Sequence, residues 1–352
     1  MLARHSDRTM MIEEKDLRST VIDYAINKKW QISDCINCHR LVLSKKVPLQ
    51  LCPRCETGKQ FTVKVHNSFA ADKAKPHLQI ANRLEASFRQ MDISRTESIP
   101  IWRTFSTEVF VGSGLEYLDS YRYRGLSLPK LPVVVFQPSI RLHKGIKENL
   151  SFYQDVTNYS SIAFINVSAI NRLQELHDFS LSLDNAISIL SSIGIHATRI
   201  CIAIDSQSHH FENDFSFVCR LFIDKLEVGD HVAIISKRGQ ENFVETGFGL
   251  ERLTTRIYFC TYEQVMQSKH QLSDVLLLKA LHALTLITMS SIPYSNEAPW
   301  SKAKTIANII RPHIGKFDSF LAFRDMYDYW CSFVNQPLDK VSAYMQFLTL
   351  VE

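Results

Sequence analysis

Glycine is scarce in this sequence, and long uncharged hydrophobic runs are missing. The 352 residues include 11 glycines, roughly half the usual share, so a glycine inside a motif stands out. The longest apolar run, Val275 to Met289, is shorter than a bilayer span and is interrupted by Lys279 and His282. The first residues carry charges with no apolar segment after them, so no export signal is predicted. We therefore expect a cytoplasmic protein without a membrane partner.

Strong charge of one sign is also lacking. The net charge is +4 and the isoelectric point is near 8.5, which permits contact with polyanions, although a dedicated nucleic-acid coat protein would be more basic. Hydrophobic residues make up 45% of the chain and charged residues 22%, a composition that excludes wholesale disorder. A length of 352 residues predicts two or three domains, at about 150 residues per domain.

The order of secondary-structure patterns predicts an α+β fold in three parts. Residues 1–75 carry a short helix (13–27) and a cysteine-rich module, and residues 76–265 begin with a helix at 77–90 and continue mainly with short β-rich runs. One long helix, 169–193, is expected among those runs and ends at Gly194. Strands in series favour a largely antiparallel sheet. Residues 266–352 read as a helical domain, with helices at 273–290, 302–314 and 317–330.

The strongest local signal is a pair of Cys-x-x-Cys motifs, formed by Cys35, Cys38, Cys52 and Cys55. Two such knuckles close a tetrahedral shell around zinc, and four protein ligands leave no open position, so the metal would be structural. The alternatives are four free cysteines or two disulfides, which a reducing cytoplasm disfavours. The segments 40–43 and 48–51 are predicted as the two strands of a small zinc ribbon.

Two sets of basic residues could contact nucleic acid. An ordinary solvated face explains each set at least equally well. The first set surrounds the cysteine module and the second lies near the C-terminus: Lys45, Lys46, Lys59 and Lys64; Lys302, Lys304, Arg311, His313 and Lys316.

An apolar strand predicted from Val133 delivers an arginine, Arg141, at its far end. A guanidinium at the end of a buried strand costs free energy unless an anion meets it. In the segment 243–252 another strand leads through Gly247 and Gly249 into a helix whose first turn holds Arg252. Glycines allow close backbone approach, and a helix start offers free N–H groups, so the pattern favours phosphate binding. The alternative is a helix-capping turn in which Glu251 and Arg252 are surface charges.

These two segments resemble motifs 2 and 3 of class II aminoacyl-tRNA synthetases, and specifically those of archaeal-type alanyl-tRNA synthetase. The sequence QPSIR at 137–141 closes motif 2 in that family, and VETGFGLER at 244–252 is similar to the motif 3 pattern V-D-T-G-[YFM]-G-L-E-R. The segments 100–103 and 110–117, and the cysteine module before the core, are also similar. The resemblance covers about residues 12 to 260.

The resemblance implies a class II antiparallel sheet that binds ATP, with Mg²⁺ on its phosphates. Arg141 would pair with the α-phosphate, and Arg252 would clamp the γ-phosphate or stack on adenine, with the backbones of Gly247 and Gly249 beside the nucleotide. Glu245 matches the family's aspartate that binds the amino group of alanine. Its extra methylene would carry the carboxylate about 1.5 Å further into the pocket and reshape the room for a side chain.

Several departures from the family concern acid–base and metal-binding groups. An Arg-His pair and a Phe-Glu segment are replaced at 159–166, and a Gly-Pro-Cys loop is replaced at 211–218. Glu212 and Asp214 could substitute as magnesium ligands, although acidic loop residues are more often solvated. His209 and His210 lack a third ligand at a suitable spacing. Only about 100 residues follow motif 3, where the family carries tRNA-recognition, editing and oligomerisation regions.

Three functions follow as hypotheses. The first is activation of alanine or a similar small amino acid as an adenylate, with transfer to tRNA, a carrier protein or a small molecule. The second is a catalytically weakened paralogue that acts as a binding or regulatory module. The third is a zinc-ribbon protein that binds nucleic acid and has a nucleotide-binding core. Two arginines kept at phosphate-binding positions favour the first.

Overall fold

The structure is a computed structural model, and the part of the chain that it describes has several gaps. The described residues are 12–56, 76–102, 110–114, 116–118, 130–142, 161–205, 209–210, 214–236, 241–266, 272, 274–290, 292 and 299–352.

Ten strands of the described chain form one sheet, in the order β1-β2-β6-β8-β9-β10-β5-β4-β3 with β7 paired to β8. All pairings are antiparallel except the one between β3 and β4. The predicted α+β class with a largely antiparallel sheet is thus confirmed. The strands are β1 (Gln31–Asp34), β2 (Leu41–Ser44), β3 (Ser94–Thr96), β4 (Val133–Ile140), β5 (Ala163–Arg172), β6 (Ile200–Ile204), β7 (His209–His210), β8 (Asp214–Ile223), β9 (Leu226–Ser236) and β10 (Phe243–Gly249).

Helices flank the sheet and form the C-terminal part of the chain. None of the described helices combines the length and hydropathy that a bilayer span requires. The helices are α1 (Glu14–Asn27), α2 (Pro53–Glu56), α3 (Pro76–Gln90), α4 (Leu176–Ser192), α5 (Leu250–Tyr258), α6 (Tyr262–Met266), α7 (Val275–Met289), α8 (Trp300–Ile310), α9 (Ser319–Trp330) and α10 (Lys340–Val351).

Alternation along the strands gives the sheet two different faces. On one face, α3 and α4 cover the main hydrophobic core, where Phe179 of α4 packs against Phe217 and His231 at ring-centroid distances of 5.8 and 4.3 Å. The other face carries Glu245 and Gly247 of β10. It has a small apolar cluster at each end, one around Val135 of β4 and one around Val42 of β2. A cleft lies between these clusters.

The apolar run at 275–289 forms α7, the central helix of the C-terminal part. Asp274 caps it, because its carboxylate accepts hydrogen bonds from the backbone N–H groups of Leu276 and Leu277 at 2.9 and 3.1 Å. Helices α8, α9 and α10 pack around α7, which explains why almost all of its side chains are buried. The run that is too short for a membrane span is therefore the core of a helical bundle.

Two sequence predictions were wrong in detail. The helix predicted from residue 169 begins only at Leu176, because β5 continues through Arg172 and a capping box between Glu175 and Asp178 sets the helix start. The ribbon strand predicted at 48–51 does not form. Instead β2 pairs with β1, and the hydroxyl of Ser33 bonds both the carbonyl oxygen and the N–H of Leu49.

The cysteine module is continuous with the main sheet, since β2 pairs with β6 through the register Val42↔Ala203. The proposed domain boundaries at residues 75 and 265 stay predictions. One of the short β-rich runs predicted from the sequence, at 107–111, lies mostly outside the described residues. Within the described part, Phe110 forms an isolated bridge with Trp102.

Candidate functional site

The cleft on the open face of the sheet has a volume of about 250 Å³ and collects charged groups from four elements. It lies above β5, β9 and β10, between the end of β4 and the start of α5. The two arginines and the glutamate that the sequence singled out all line it. Its charged lining residues are Arg141, Glu227, Asp230, Glu245 and Arg252.

Arg141 follows the last residue of β4 and enters the cleft from one side. Its Nη2 donates a hydrogen bond to the carbonyl oxygen of Gly112 at 2.8 Å, and its guanidinium carbon lies 5.3 Å from the ring centroid of Phe164. Strand β4 is buried throughout, as predicted, but Arg141 itself is exposed. The desolvation cost inferred from the sequence therefore does not apply to this side chain.

Arg252 lies in the first turn of α5 and is partly buried. Its Nη1 donates to the carbonyl oxygen of Glu227 at 3.0 Å. Burial lowers the pKa of Arg252, and the positive charge of Arg141 lowers it further, so the two guanidiniums lie within each other's field. An arginine stays protonated despite such a shift. The cleft thus holds two permanent positive charges that repel each other, and an anion bound between them would offset that repulsion.

Glu245 lies on the floor of the cleft and is only 3% exposed. Burial raises its pKa to about 8, so the carboxyl holds a proton at neutral pH. Ser168 Oγ lies 2.5 Å from Glu245 Oε1 and 2.7 Å from Asn166 Oδ1. A hydroxyl has one proton, so a protonated Glu245 can donate to Ser168, which then donates to Asn166.

Two glycines let the backbone lie close under this carboxyl. A Cβ atom at Gly247 would come 2.7 Å from Glu245 Oε1, and one at Gly229 would come 1.9 Å from the carbonyl oxygen of Gly247. Any larger residue at either position would push β9 and β10 apart or displace Glu245. Gly249 is the N-cap of α5 and also lines the cleft. The glycine pattern read from the sequence therefore coincides with close packing at the cleft floor.

Sequence reasoning missed Glu227 and Asp230, which bring two carboxylates to the cleft from β9. Arg220 of β8 lies between them, with its Nη1 3.5 Å from Glu227 Oε1 and 3.3 Å from Asp230 Oδ1. The signal was present in Gly229, a glycine inside a strand pattern with acidic residues nearby. Such a glycine marks close backbone approach. The pair offers carboxylate oxygens, the ligands that Mg²⁺ prefers.

Glu212 and Asp214 were suggested as possible magnesium ligands, and the structure gives no support for this at Asp214 and does not test it at Glu212. Asp214 begins β8 and is absent from the cleft lining within the described chain, and Glu212 lies outside the described residues. His209 and His210 form β7, but their side chains are also outside the description. The alternative in which Glu251 is a surface charge is wrong, because Glu251 is 1% exposed.

The basic sets have mixed surroundings. Arg311 donates to the carbonyl oxygens of Leu350 and Val351 at 2.8 and 3.3 Å, so its guanidinium caps the end of α10. Lys45 lies over the ring of Trp30, with Nζ 5.4 Å from the centroid. The remaining members are exposed (Lys46, Lys302, Lys304, Lys316), half-buried (His313) or outside the described residues (Lys59, Lys64). A contact with nucleic acid stays a prediction.

The four cysteines of the two knuckles converge on one point. Their sulfur atoms all lie within 4.8 Å of one another, and Cys38 Sγ is 3.6 Å from Cys52 Sγ. Tetrahedral zinc with Zn–S bonds of about 2.3 Å requires sulfur atoms about 3.8 Å apart, so the cluster fits a metal ion with little movement. All four are free thiols in the structure, and no disulfide links them.

Comparison with known proteins gives a limited result. No family model and no curated protein sequence matches this chain. Among solved structures, it is similar to a pyrrolysyl-tRNA synthetase from Desulfitobacterium hafniense, with 14% identity, a TM-score of 0.41, and coverage of 54% of this chain and 72% of that one. A second structure of the enzyme from that organism gives 12% identity, a TM-score of 0.36, and coverages of 51% and 68%. Neither likeness shows alanyl-tRNA synthetase specifically, and values this low carry no argument about function.

Proposed function

We propose that this protein activates a small amino acid with ATP, as class II aminoacyl-tRNA synthetases do, and that the cleft is the adenylation site. One observation carries the proposal: Arg141 and Arg252 line the same cleft, and a buried carboxyl group, Glu245, lies on its floor. Two permanent positive charges suit a polyphosphate, and a buried carboxyl suits an ammonium group once it has released its proton.

The reaction needs positioning and charge stabilisation more than a protein nucleophile. An oxygen of the amino-acid carboxylate would form a bond to the α-phosphorus of ATP. The bond from that phosphorus to the bridging oxygen would break, and its electron pair would leave with pyrophosphate. Arg141 would pair with the α-phosphate, where negative charge builds up, and Arg252 would clamp the γ-phosphate or stack on adenine.

Magnesium is a general requirement of such chemistry, and Glu227 and Asp230 are the residues that would hold it. Both line the cleft with the arginines. Bound Mg²⁺ would neutralise part of the phosphate charge. When no Mg²⁺ is bound, Arg220 would keep the carboxylates of Glu227 and Asp230 oriented.

Specificity for alanine or a similarly small amino acid is the finer part of the proposal. Glu245 would release its proton when the substrate's ammonium group binds beside it, because a neighbouring positive charge favours the ionised carboxylate. The room left for a side chain is set by Glu245 together with Asn166 and Val232. We expect the longer glutamate to change the order of preference among glycine, alanine and serine. If alanine is clearly preferred in pyrophosphate exchange, the reshaping argument for Glu245 is wrong.

The acceptor is tRNA or another molecule such as a carrier protein, and the cysteine cluster holds structural zinc. Four thiolates leave no coordination position for a substrate, so zinc would stabilise the module around β1 and β2. The second candidate function, a weakened paralogue that binds without catalysis, is favoured by one observation. Ser161, Phe164 and Asn166 line the cleft, and they belong to the stretch 159–166 that stands in place of the resembling family's Arg-His pair and Phe-Glu segment.

Amino-acid-dependent exchange of pyrophosphate into ATP tests the proposal. We expect exchange with a small amino acid, and a loss of at least about 100-fold in Arg141→Ala. Arg89→Ala is the matched control, because Arg89 is an exposed arginine whose salt bridge to Glu85 lies on the surface of α3. Absence of exchange with every common amino acid would favour the binding-module alternative instead.

A further inference from the structure

A continuous set of charged contacts leads from the cysteine cluster to the cleft. Arg40 follows the first knuckle, and its Nη1 lies 3.5 Å from Cys38 Sγ. Its Nε lies 3.2 Å from Oδ1 of Asp205, a carboxylate that is only 6% exposed. The first step of this set therefore connects a sulfur of the cysteine cluster to a buried acidic residue that follows β6.

The second step joins Asp205 to the cleft through Arg220. The guanidinium of Arg220 makes a two-nitrogen contact with Asp205, with Nε at 3.1 Å from both carboxylate oxygens and Nη2 at 2.8 Å from Oδ2. Its remaining nitrogen, Nη1, faces Glu227 and Asp230. Because a planar fork fixes both partners at once, the orientation of Arg220 determines where the two cleft carboxylates lie.

A second, shorter connection starts inside the other knuckle. Arg54 lies between Cys52 and Cys55 on α2, and its Nε donates to Glu227 Oε2 at 3.0 Å. Glu227 is thus held from two sides, by Arg54 at one oxygen and by Arg220 at the other. Three arginines (Arg40, Arg54, Arg220) balance three carboxylates (Asp205, Glu227, Asp230), so the network is neutral as a whole.

We propose that Arg54 and Arg220 are positioning residues that couple the metal-bound cysteine cluster to the carboxylates of the cleft. A metal ion would fix both knuckles, and with them the backbones of Arg40 and Arg54. The cysteine module would then act on the cleft through ion pairs and through the pairing of β2 with β6, in addition to stabilising the fold. Coupling of this kind is reciprocal, so a change at Glu227 must also change metal retention.

The experiment measures how fast zinc passes from the full-length zinc-loaded protein to a chromogenic chelator, without nucleotide. We expect Glu227→Gln, Arg54→Ala and Arg220→Gln to release zinc at least about fivefold faster than the wild type, with partial rescue in Arg220→Lys. Glu241→Gln is the matched control, because Glu241 pairs with Arg172 at 3.1 Å on the surface, away from the knuckles. It should release zinc at the wild-type rate.

The variants differ in how strongly they are expected to destabilise the fold, and circular dichroism identifies any variant that fails to fold. Arg54 is half-exposed, so Arg54→Ala and Glu227→Gln decide the result even if Arg220→Gln does not fold. Unchanged release rates in those two variants would overturn the coupling, as would a wild-type protein that holds no zinc. The proposal rests on the proposed function only for the role of the carboxylates, and because the assay contains no ATP, a failure of adenylation would leave its result intact.

Discussion

Two buried glutamates, Glu245 and Glu251, lie six residues apart in sequence and differ in their hydrogen-bond partners. Glu245 lies on the cleft floor and is contacted by one hydroxyl, that of Ser168. Glu251 lies in the first turn of α5, where it accepts hydrogen bonds from the N–H of Ile165 at 2.9 Å and from the hydroxyl of Tyr329 at 2.6 Å. Burial raises both pKa values, to about 8 for Glu245 and about 7 for Glu251.

Burial alone does not distinguish Glu251, whose oxygens are bonded within the protein, from Glu245, which is proposed to bind a ligand. Glu251 joins α5 to β5 and, through Tyr329, to α9, and the ring of His77 of α3 packs against that tyrosine at a tilt of 35° with ring centroids 4.0 Å apart. Both carboxylate oxygens of Glu251 accept hydrogen bonds from groups of the protein. Glu245 faces a cavity and keeps hydrogen-bonding capacity that the protein does not use. The number of partners, rather than the degree of burial, separates the two roles.

Alanine substitutions at Glu245 and Glu251 should give the largest difference in stability between the two positions. Glu251→Ala leaves a buried N–H and a buried hydroxyl without an acceptor, so we expect the free energy of unfolding to fall by about 3 kcal/mol. Glu245→Ala borders a cavity and leaves Ser168 bonded to Asn166, so its cost should stay near 1 kcal/mol. Urea unfolding of both variants at pH 4, where both carboxyls are largely protonated in the folded and the unfolded chain, measures the difference without a contribution from their titration. Equal costs would contradict the separation of roles.

The pH dependence of stability should identify the proton on Glu245. A folded pKa near 8, against an ordinary value of 4.5, means that the folded chain keeps a proton that the unfolded chain has released at neutral pH. Stability from this group is therefore full below pH 4.5 and is lost as the pH rises toward 8. Between pH 5 and 7 the wild type should lose about 2 kcal/mol more than Glu245→Gln, which cannot titrate. Parallel curves for the two proteins would show that Glu245 is ionised when folded.

A smaller effect should isolate the contact between α5 and α9. Tyr329→Phe removes one hydrogen bond to Glu251 and nothing else of that size, so we expect a loss of about 1 kcal/mol in the free energy of unfolding. Tyr258→Phe is the matched control, because the hydroxyl of Tyr258 bonds Gln79 on the surface, and its loss should cost less than about 0.5 kcal/mol. If the two variants lose the same free energy of unfolding, the buried hydrogen bond from Tyr329 to Glu251 contributes no more to stability than a surface one.

The local patterns of the cleft could be predicted from sequence, whereas its assembly could not. Strand β4, the strand that carries Gly-x-Gly and the start of α5 were predicted because each depends on neighbouring residues. The cysteine cluster followed from spacing alone. Glu227 and Asp230 were missed because the register of β9 against β10 brings them to the cleft, and pairing between strands is not written in either strand by itself.

The misplaced start of the helix at 169–193 has a similar cause. Residues 169–172 have the sequence Ala-Ile-Asn-Arg, which shows no periodicity that separates a strand from a helix, and the pairing of β5 with both β4 and β10 decides the outcome. The exposure of Arg141 also depends on tertiary structure, because it follows from where β4 ends relative to the segment at Gly112. Burial of a strand does not predict burial of the residue after it.

The central claim is that two guanidiniums share one triphosphate in this cleft. Calorimetric titration with ATP and with adenosine tests it most directly, using the wild type and Arg141→Ala. We expect the variant to bind ATP at least about tenfold more weakly and adenosine with unchanged affinity, because Arg141 would contact phosphate only. Equal ATP affinity in the two proteins would contradict the claim.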